Sequence, residues 1–167
     1  MDEFDESERD LSPGPQITPA LFAKWRNARR GEINGQRLTN PVWDWLIRTQ
    51  LWPYGAGQHF GDALSIPISP QWCFSRFGMS QTILPDGRKL FVAGEHEDHY
   101  DPDFFIYNDV IVRHPDDSID VFGYSVDDFP PTDFHSATWV EGRVLLIGSL
   151  GYPELRNPAV TQCLSLE

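Results

Sequence analysis

The chain has 167 residues, of which 40% are hydrophobic and 13% aromatic, so it can bury one sizeable core. Its formal net charge of -12 argues against nucleic-acid binding, because a negative field repels a polyanion, and favours a basic protein partner. No apolar run approaches the ~18 residues that span a bilayer, and no signal-peptide pattern is visible. We therefore expect a cytoplasmic protein that does not bind membranes.

Residues 1–16 are predicted to form a disordered acidic arm. The segment holds several carboxylates, has little apolar surface to bury and ends near a Pro-Gly-Pro turn. The two cysteines, Cys73 and Cys163, are far apart and have no CxxC spacing, so neither a zinc site nor a disulfide framework is indicated. We expect both to be buried free thiols.

Residues 17–70 are predicted to form a small helical and irregular cap. Thr18 before Pro19 is typical of a helix start, and Asn40 before Pro41 repeats the pattern. Both candidate helices carry tryptophans on an apolar face, which requires a covering surface. After the second helix, prolines and glycines favour a loop that leads into a β domain.

Residues 71–167 are predicted to be mainly β, with about seven antiparallel strands. Short apolar runs alternate with turns such as Asp86-Gly87 and Glu141-Gly142, which are typical of hairpins. The predicted strands are 77–84, 89–93, 106–113, 118–124, 135–140, 143–147 and 160–166.

The β region contains an internal repeat with an offset of 55 to 56 positions. The repeat pairs Ser80-Gln81-Thr82 with Ser136-Ala137-Thr138, Gly87-Arg88 with Gly142-Arg143, and Leu90-Phe91-Val92-Ala93-Gly94 with Leu145-Leu146-Ile147-Gly148-Ser149. Further signatures follow in the order Tyr107-Asn108-Asp109-Val110, His114-Pro115 and Phe129-Pro130-Pro131. This period and order resemble the kelch family of β-propellers. Residues 72–153 also resemble a group of small bacterial proteins of undetermined function.

The resemblance implies two kelch-type β-propeller blades, the second cut short. The usual double glycine is replaced by Ala93-Gly94 and Gly148-Ser149, and the tryptophan common near the fourth strand by Phe122 or Tyr124. A propeller closes with roughly four to eight blades. Fewer than two blades leave open faces, so we expect the cap, a partner protein or self-association to cover them.

An acidic, histidine-containing segment at residues 95–103 is the densest polar cluster in the chain. Two hypotheses follow from it. His96 and His99, with neighbouring carboxylates, have the chemistry of a divalent metal site, which would make the protein a metal-dependent enzyme such as a hydrolase or oxygenase. Alternatively, the segment is a solvated acidic loop that binds a protein.

We predict a non-catalytic protein-protein interaction protein, with no catalytic residues and no required cofactor. Its size and charge suit an immunity protein that neutralises a basic effector or toxin. The predicted partner-binding residues lie in three loops and combine carboxylates with aromatic anchors. They are Glu95, Glu97, Asp98, Tyr100, Asp101, Asp103, Phe104, Asp127, Asp128, Phe129, Asp133 and Tyr152.

Two further patterns have competing interpretations. Asp133 and His135 have the chemistry of a base and its orienting partner, but hydrogen bonding between blades is the simpler interpretation. The basic run at residues 24–30 has the composition of an RNA contact, yet docking within the chain explains it as well.

Overall fold

A computed structural model describes residues 10–61, 69–98, 101–148, 150–156 and 160–165, the side chains of residues 98 and 101–103 excepted. Within these ranges the chain has three short helices and ten antiparallel strands. The helices are α1 (Pro19–Trp25), α2 (Pro41–Thr49) and α3 (Pro53–Gln58), and a 3-10 turn spans Pro153–Leu155. The strands are β1 (Gln36–Arg37), β2 (Ser80–Ile83), β3 (Lys89–Val92), β4 (Glu95–Asp98), β5 (Asp101–Ile106), β6 (Val110–Arg113), β7 (Ile119–Gly123), β8 (Ser136–Val140), β9 (Arg143–Ile147) and β10 (Gln162–Ser165).

The first two helices begin at the capping residues that the sequence indicates. Thr18 Oγ1 accepts a hydrogen bond from the Leu21 amide at 3.2 Å, and Asn40 Oδ1 accepts from the amides of Val42 and Trp43. Each cap satisfies backbone N–H groups that have no partner inside the helix. None of the helices in the described ranges is long and apolar enough to cross a membrane.

A five-stranded sheet in the order β1-β7-β6-β3-β2 forms the centre of the molecule. Strands β2, β3, β6 and β7 follow one another as an antiparallel meander, and the β4–β5 hairpin is inserted between β3 and β6. Strand β1, from the cap, pairs with the outer edge of β7. The cap therefore extends the sheet as well as covering it.

Side chains of the five-stranded sheet alternate between two cores, as the period of two in a strand requires. Ile111 and Val121 belong to the core that contains the helices. Leu90, Val92 and Val112 point the other way, into a second core shared with a three-stranded sheet. The molecule thus has three layers, which are helices, five-stranded sheet and three-stranded sheet.

The three-stranded sheet has the order β10-β9-β8. Val144, Leu146 and Leu164 face the second core and are buried. The tight turn between β8 and β9 places Glu141 and Gly142 at φ values of 43° and 86°, which match the twist of a two-residue hairpin. Glycine adopts such a backbone at no steric cost.

A mainly β fold with a helical cap is confirmed, but the strand count and some boundaries were wrong. Strand β1 was missed, and the predicted strand 106–113 is divided between β5 and β6. The stretch after the second helix, expected to be a loop, contains helix α3. Residues 95–103, expected to be a loop, contain β4 and the start of β5. In the described part of the chain the sheets do not close into a barrel or a propeller.

Candidate functional site

A buried ion pair, Arg76–Asp109, lies next to the segment that carries the candidate site. Arg76 donates to Asp109, with Nη1 2.5 Å from Oδ1, and its side chain is 0% exposed. Trp72 Nε1 donates to the same carboxylate at 3.1 Å, and the Arg76 guanidinium lies 3.4 Å from the ring centroid of Tyr107. Burial raises the pKa of the Tyr107 hydroxyl, against the lowering effect of Arg76, so the phenol stays neutral.

Next to this ion pair, backbone hydrogen bonds join segments that are distant in the sequence. Phe77 and Glu95 exchange two backbone hydrogen bonds, at 2.9 and 2.8 Å. The Phe134 amide donates to the Gly78 carbonyl at 3.0 Å, and the Leu150 amide donates to the Asp133 carbonyl at 3.2 Å. The predicted loops around residues 95, 133 and 150 therefore meet, together with residues 77–78, which were not predicted to take part.

The outer side of this meeting point combines exposed apolar and acidic side chains. Phe77 and Phe134 are each 55% exposed, Leu150 52% and Phe104 42%. Glu97 is also exposed. We call this the docking surface, and its residues are Phe77, Glu95, Glu97, Phe104, Phe134 and Leu150.

The docking surface adjoins a groove of about 390 Å³. Its apolar lining includes Trp52, Phe74, Phe77, Met79 and Phe91. Phe91 of β3 is half-buried and also packs against the core that contains the helices. The volume of the groove lies in the range of ligand pockets and exceeds what one large side chain fills.

Glu95 is a half-buried titratable group of the docking surface. Its pKa is raised by desolvation, by a hydrogen bond with Asp133 and by the negative charges of Asp133 and Glu97. Asp133 is 1% exposed and accepts a hydrogen bond from the Gly151 amide at 2.5 Å. The predicted role of Asp133 in contacting a partner is therefore wrong, because its carboxylate is buried and joins chain segments.

The other predicted partner-binding residues differ in how accessible they are. Phe129 is 2% exposed and belongs to the second core, so it is not an accessible anchor. Tyr152 is half-buried, and its hydroxyl accepts a hydrogen bond from the Ile106 amide at 2.9 Å. The exposed residues Asp127 and Asp128 lie in the turn after β7.

The predicted metal ligands and the acidic segment around them are described in part. His99 and Tyr100 lie outside the described residues, as do the side chains of Asp98, Asp101 and Asp103. His96 is 1% exposed, and its ring centroid lies 5.3 Å from that of Trp52. Among the described residues, no three His, Cys, Asp or Glu side chains are grouped as a metal site would require.

His135 joins the two sheets. Its Nε2 lies 2.8 Å from Ser80 Oγ in β2, and its Nδ1 lies 3.5 Å from Thr132 Oγ1. Burial lowers the pKa of His135, against the opposing charge of Asp133, so the ring is neutral at pH 7. The two ring nitrogens thus face hydroxyl groups and not the carboxylate of Asp133. The geometry matches a histidine hydrogen-bonded between the two sheets.

The basic run of the cap makes contacts inside the chain. Arg30 Nη1 donates to the Ile106 carbonyl at 3.0 Å and to Asn108 Oδ1 at 3.1 Å. The Arg29 guanidinium lies 4.3 Å from the Trp25 ring centroid. These contacts provide the intramolecular docking that was one interpretation of the run.

Sequence reasoning missed Phe77 and Phe134, which contribute the two most exposed rings of the docking surface. Phe134 has a positive φ of 48°, an unusual backbone for an aromatic residue, and its ring lies against Gly78. Neither residue lies within a strand. The sequence feature that could have indicated both residues is an aromatic side chain just before each Ser-x-Thr strand of the repeat.

No protein-family model, curated protein or solved structure matches this chain. The kelch resemblance therefore stays a prediction from the repeat.

Proposed function

We propose that the protein is a non-catalytic, cytoplasmic binding protein whose docking surface recognises a basic partner protein. The observation that supports this most is the exposure of Phe77, Phe134 and Leu150 around Glu95. These residues come from three distant parts of the chain and are held by backbone hydrogen bonds. The surface is thus already ordered before a partner binds, which lowers the entropic cost of association.

The apolar part of the surface supports protein binding. Aromatic residues are enriched among the side chains that contribute most to protein-protein affinity, and clustered exposed apolar side chains mark interaction sites. The groove beside Phe77 offers space for an apolar side chain of the partner against Phe74 and Phe91. We expect Phe77 to be the central anchor.

The acidic part of the surface supports a basic partner. Glu95 and Glu97 lie beside the apolar side chains, and the whole chain has a net charge of -12. Such a field raises the association rate with a cationic protein and falls off with salt. The more specific form of the proposal is an immunity protein that blocks a basic effector, such as a nuclease toxin.

We also propose that the two sheets are kelch-type blades, the second incomplete. The meander β2-β3-β6-β7 and the β8-β9-β10 sheet place the two copies of the repeat in corresponding hairpins. Each hairpin begins with a Ser-x-Thr strand.

Affinity capture with matched variants tests the function. We expect the immobilised protein to capture a basic protein from cells that contain the natural partner, and Phe77→Ala to reduce its recovery more than tenfold. Glu97→Gln should reduce recovery at low salt, though by less than Phe77→Ala does, and should hardly reduce it at high salt. Recovery is measured by quantitative mass spectrometry.

Control variants carry equivalent changes away from the docking surface. Ile33→Ala removes an apolar side chain that is 62% exposed, and Glu32→Gln removes an exposed carboxylate. Equal losses for Phe77→Ala and Ile33→Ala, or the absence of any basic protein among those captured, would contradict the proposal.

A further inference from the structure

The outward face of the three-stranded sheet is a second uncovered surface. Because side chains alternate, Val144, Leu146 and Leu164 point into the molecule, and the residues between them point out. The outward side chains include Thr138, Val140, Leu145, Ile147 and Cys163. Ile147 is 56% and Val140 42% exposed.

The internal repeat identifies which face of the five-stranded sheet corresponds to this outward face. Leu90 of β3 pairs with Thr82 of β2 and with Val112 of β6. In the three-stranded sheet, Leu145 of β9 pairs with Thr138 of β8 and with Cys163 of β10. Leu145 and Cys163 therefore occupy the positions of Leu90 and Val112.

The two faces differ in exposure although their positions correspond. Leu90 and Val92 are each 0% exposed and Val112 is 5% exposed, because the three-stranded sheet packs over them. Ile147, which corresponds to Val92, has no such cover in the described part of the chain. In the five-stranded sheet, the face with these corresponding positions is covered by another β-sheet of the same chain.

The charge of the outward face indicates which sheet is suitable. None of the outward side chains of β8, β9 and β10 is a carboxylate, and Arg143 provides one positive charge. The whole chain, by contrast, has a net charge of -12, so two copies repel each other on average. The outward face avoids this repulsion, and a second copy presents a sheet face of the same apolar kind.

We propose that two copies of this chain associate through the outward faces of β8, β9 and β10, related by a twofold axis. Sheets packed in this way form a sandwich with interdigitating apolar side chains. Three strands of four or five residues cover only about 15 Å by 17 Å, which is small for a stable interface. The dimer is therefore weak, depends on concentration and is strengthened by salt that screens the remaining charges.

Sedimentation velocity over a range of protein concentrations and at two salt concentrations tests the association. We expect a shift from the 19.1 kDa monomer towards twice that mass as concentration and salt rise. Ile147→Asp should weaken the association more than tenfold. Ile83→Asp, which changes an isoleucine of β2 that is 64% exposed, should leave it unchanged. A monomer under all conditions, or equal effects of the two variants, overturns the proposal.

Cross-linking of the unaltered protein gives a second test that does not depend on a variant folding. Cys163 is exposed on the outward face, whereas the other cysteine, Cys73, is buried. A short bismaleimide should therefore produce a covalent dimer through Cys163, and none with Cys163→Ser. Failure to cross-link at concentrations where sedimentation shows a dimer would mean that another surface is used. The docking surface is separate, so partner capture by a strictly monomeric protein would leave the proposed function intact.

Discussion

At the scale of single residues, Arg76–Asp109 is the most deeply buried of the ion pairs found among the described residues. Both side chains are almost completely buried, and hydrogen bonds from Trp72 and to the carbonyls of Cys73 and Ala93 complete the network. A buried charge is tolerated only when such partners replace water. The network joins the loop before β2 to the start of β6, and so it supports the backbone on which Phe77 lies.

We predict that Arg76→Met destabilises the protein by about 3–5 kcal/mol, because it leaves Asp109 as a buried charge without its cation. The free energy of unfolding is measured by urea titration monitored by tryptophan fluorescence. Arg88→Met, which breaks the more exposed pair with Asp86, is the matched control and should change stability little. An Arg76→Met protein as stable as the unaltered one would mean that the pair contributes nothing net.

At the scale of elements, the contact between the cap and β7 depends on two glycines that touch. A Cβ atom at Gly31 would lie 2.5 Å from the carbonyl carbon and oxygen of Gly123, well inside van der Waals contact. The approach allows the chain after Gly31 to reach the edge of β7 and form β1. A larger residue must push β1 away from the sheet.

We therefore predict that Gly31→Ala costs about 1–3 kcal/mol of stability through this overpacking. Gly55→Ala is the control, because a Cβ in α3 meets only Leu51 at an ordinary 3.5 Å, and alanine favours a helix by about 0.5–1 kcal/mol. Thermal unfolding should thus move in opposite directions for the two variants. Loss of stability in both, or in neither, would contradict the packing described for the cap.

The elements also show how far the sequence could predict the fold. Caps such as Asn40 and turns such as Glu141-Gly142 act within a few residues, so α1, α2 and most hairpins were predicted correctly. Helix α3 was expected to be a loop because of its glycines and its initial proline. Strand β1 has two residues and exists only because β7 offers it an edge, which local pattern cannot show. The β4–β5 hairpin is acidic rather than β-branched, so its composition resembled a loop.

The same limit applies to the candidate site. The kelch resemblance implied that the segments near residues 95, 133 and 150 share one face, and backbone hydrogen bonds join these segments in the structure. Whether a side chain points inward was not predictable, since Phe129 and Asp133 are buried while Phe134 is exposed. The direction in which these side chains point depends on the backbone φ of Phe134 and on hydrogen bonds from other segments of the chain. Cys163 was likewise expected to be buried, but it is exposed at an edge strand.

At the scale of the whole molecule, the layers leave two kinds of surface uncovered. The helices cover one side of the five-stranded sheet and the three-stranded sheet covers the other. The docking surface lies where connecting segments meet and combines rings with carboxylates, whereas the outward face of β8, β9 and β10 has no carboxylate. This difference in charge supports different partners for the two surfaces, a basic protein for one and a second copy for the other.

Backbone amide hydrogen exchange, with and without the captured basic partner, tests the docking surface most directly. Because the whole surface is already ordered, binding should slow exchange in residues 77–78, 95–98, 104–106 and 133–134 without changing the helices. The measurement is made at a partner concentration well above its Kd, with Phe77→Ala as the non-binding control. Slower exchange in these residues alone would match the proposed site. Protection confined to the cap, or to the outward face of β8, β9 and β10, would contradict it.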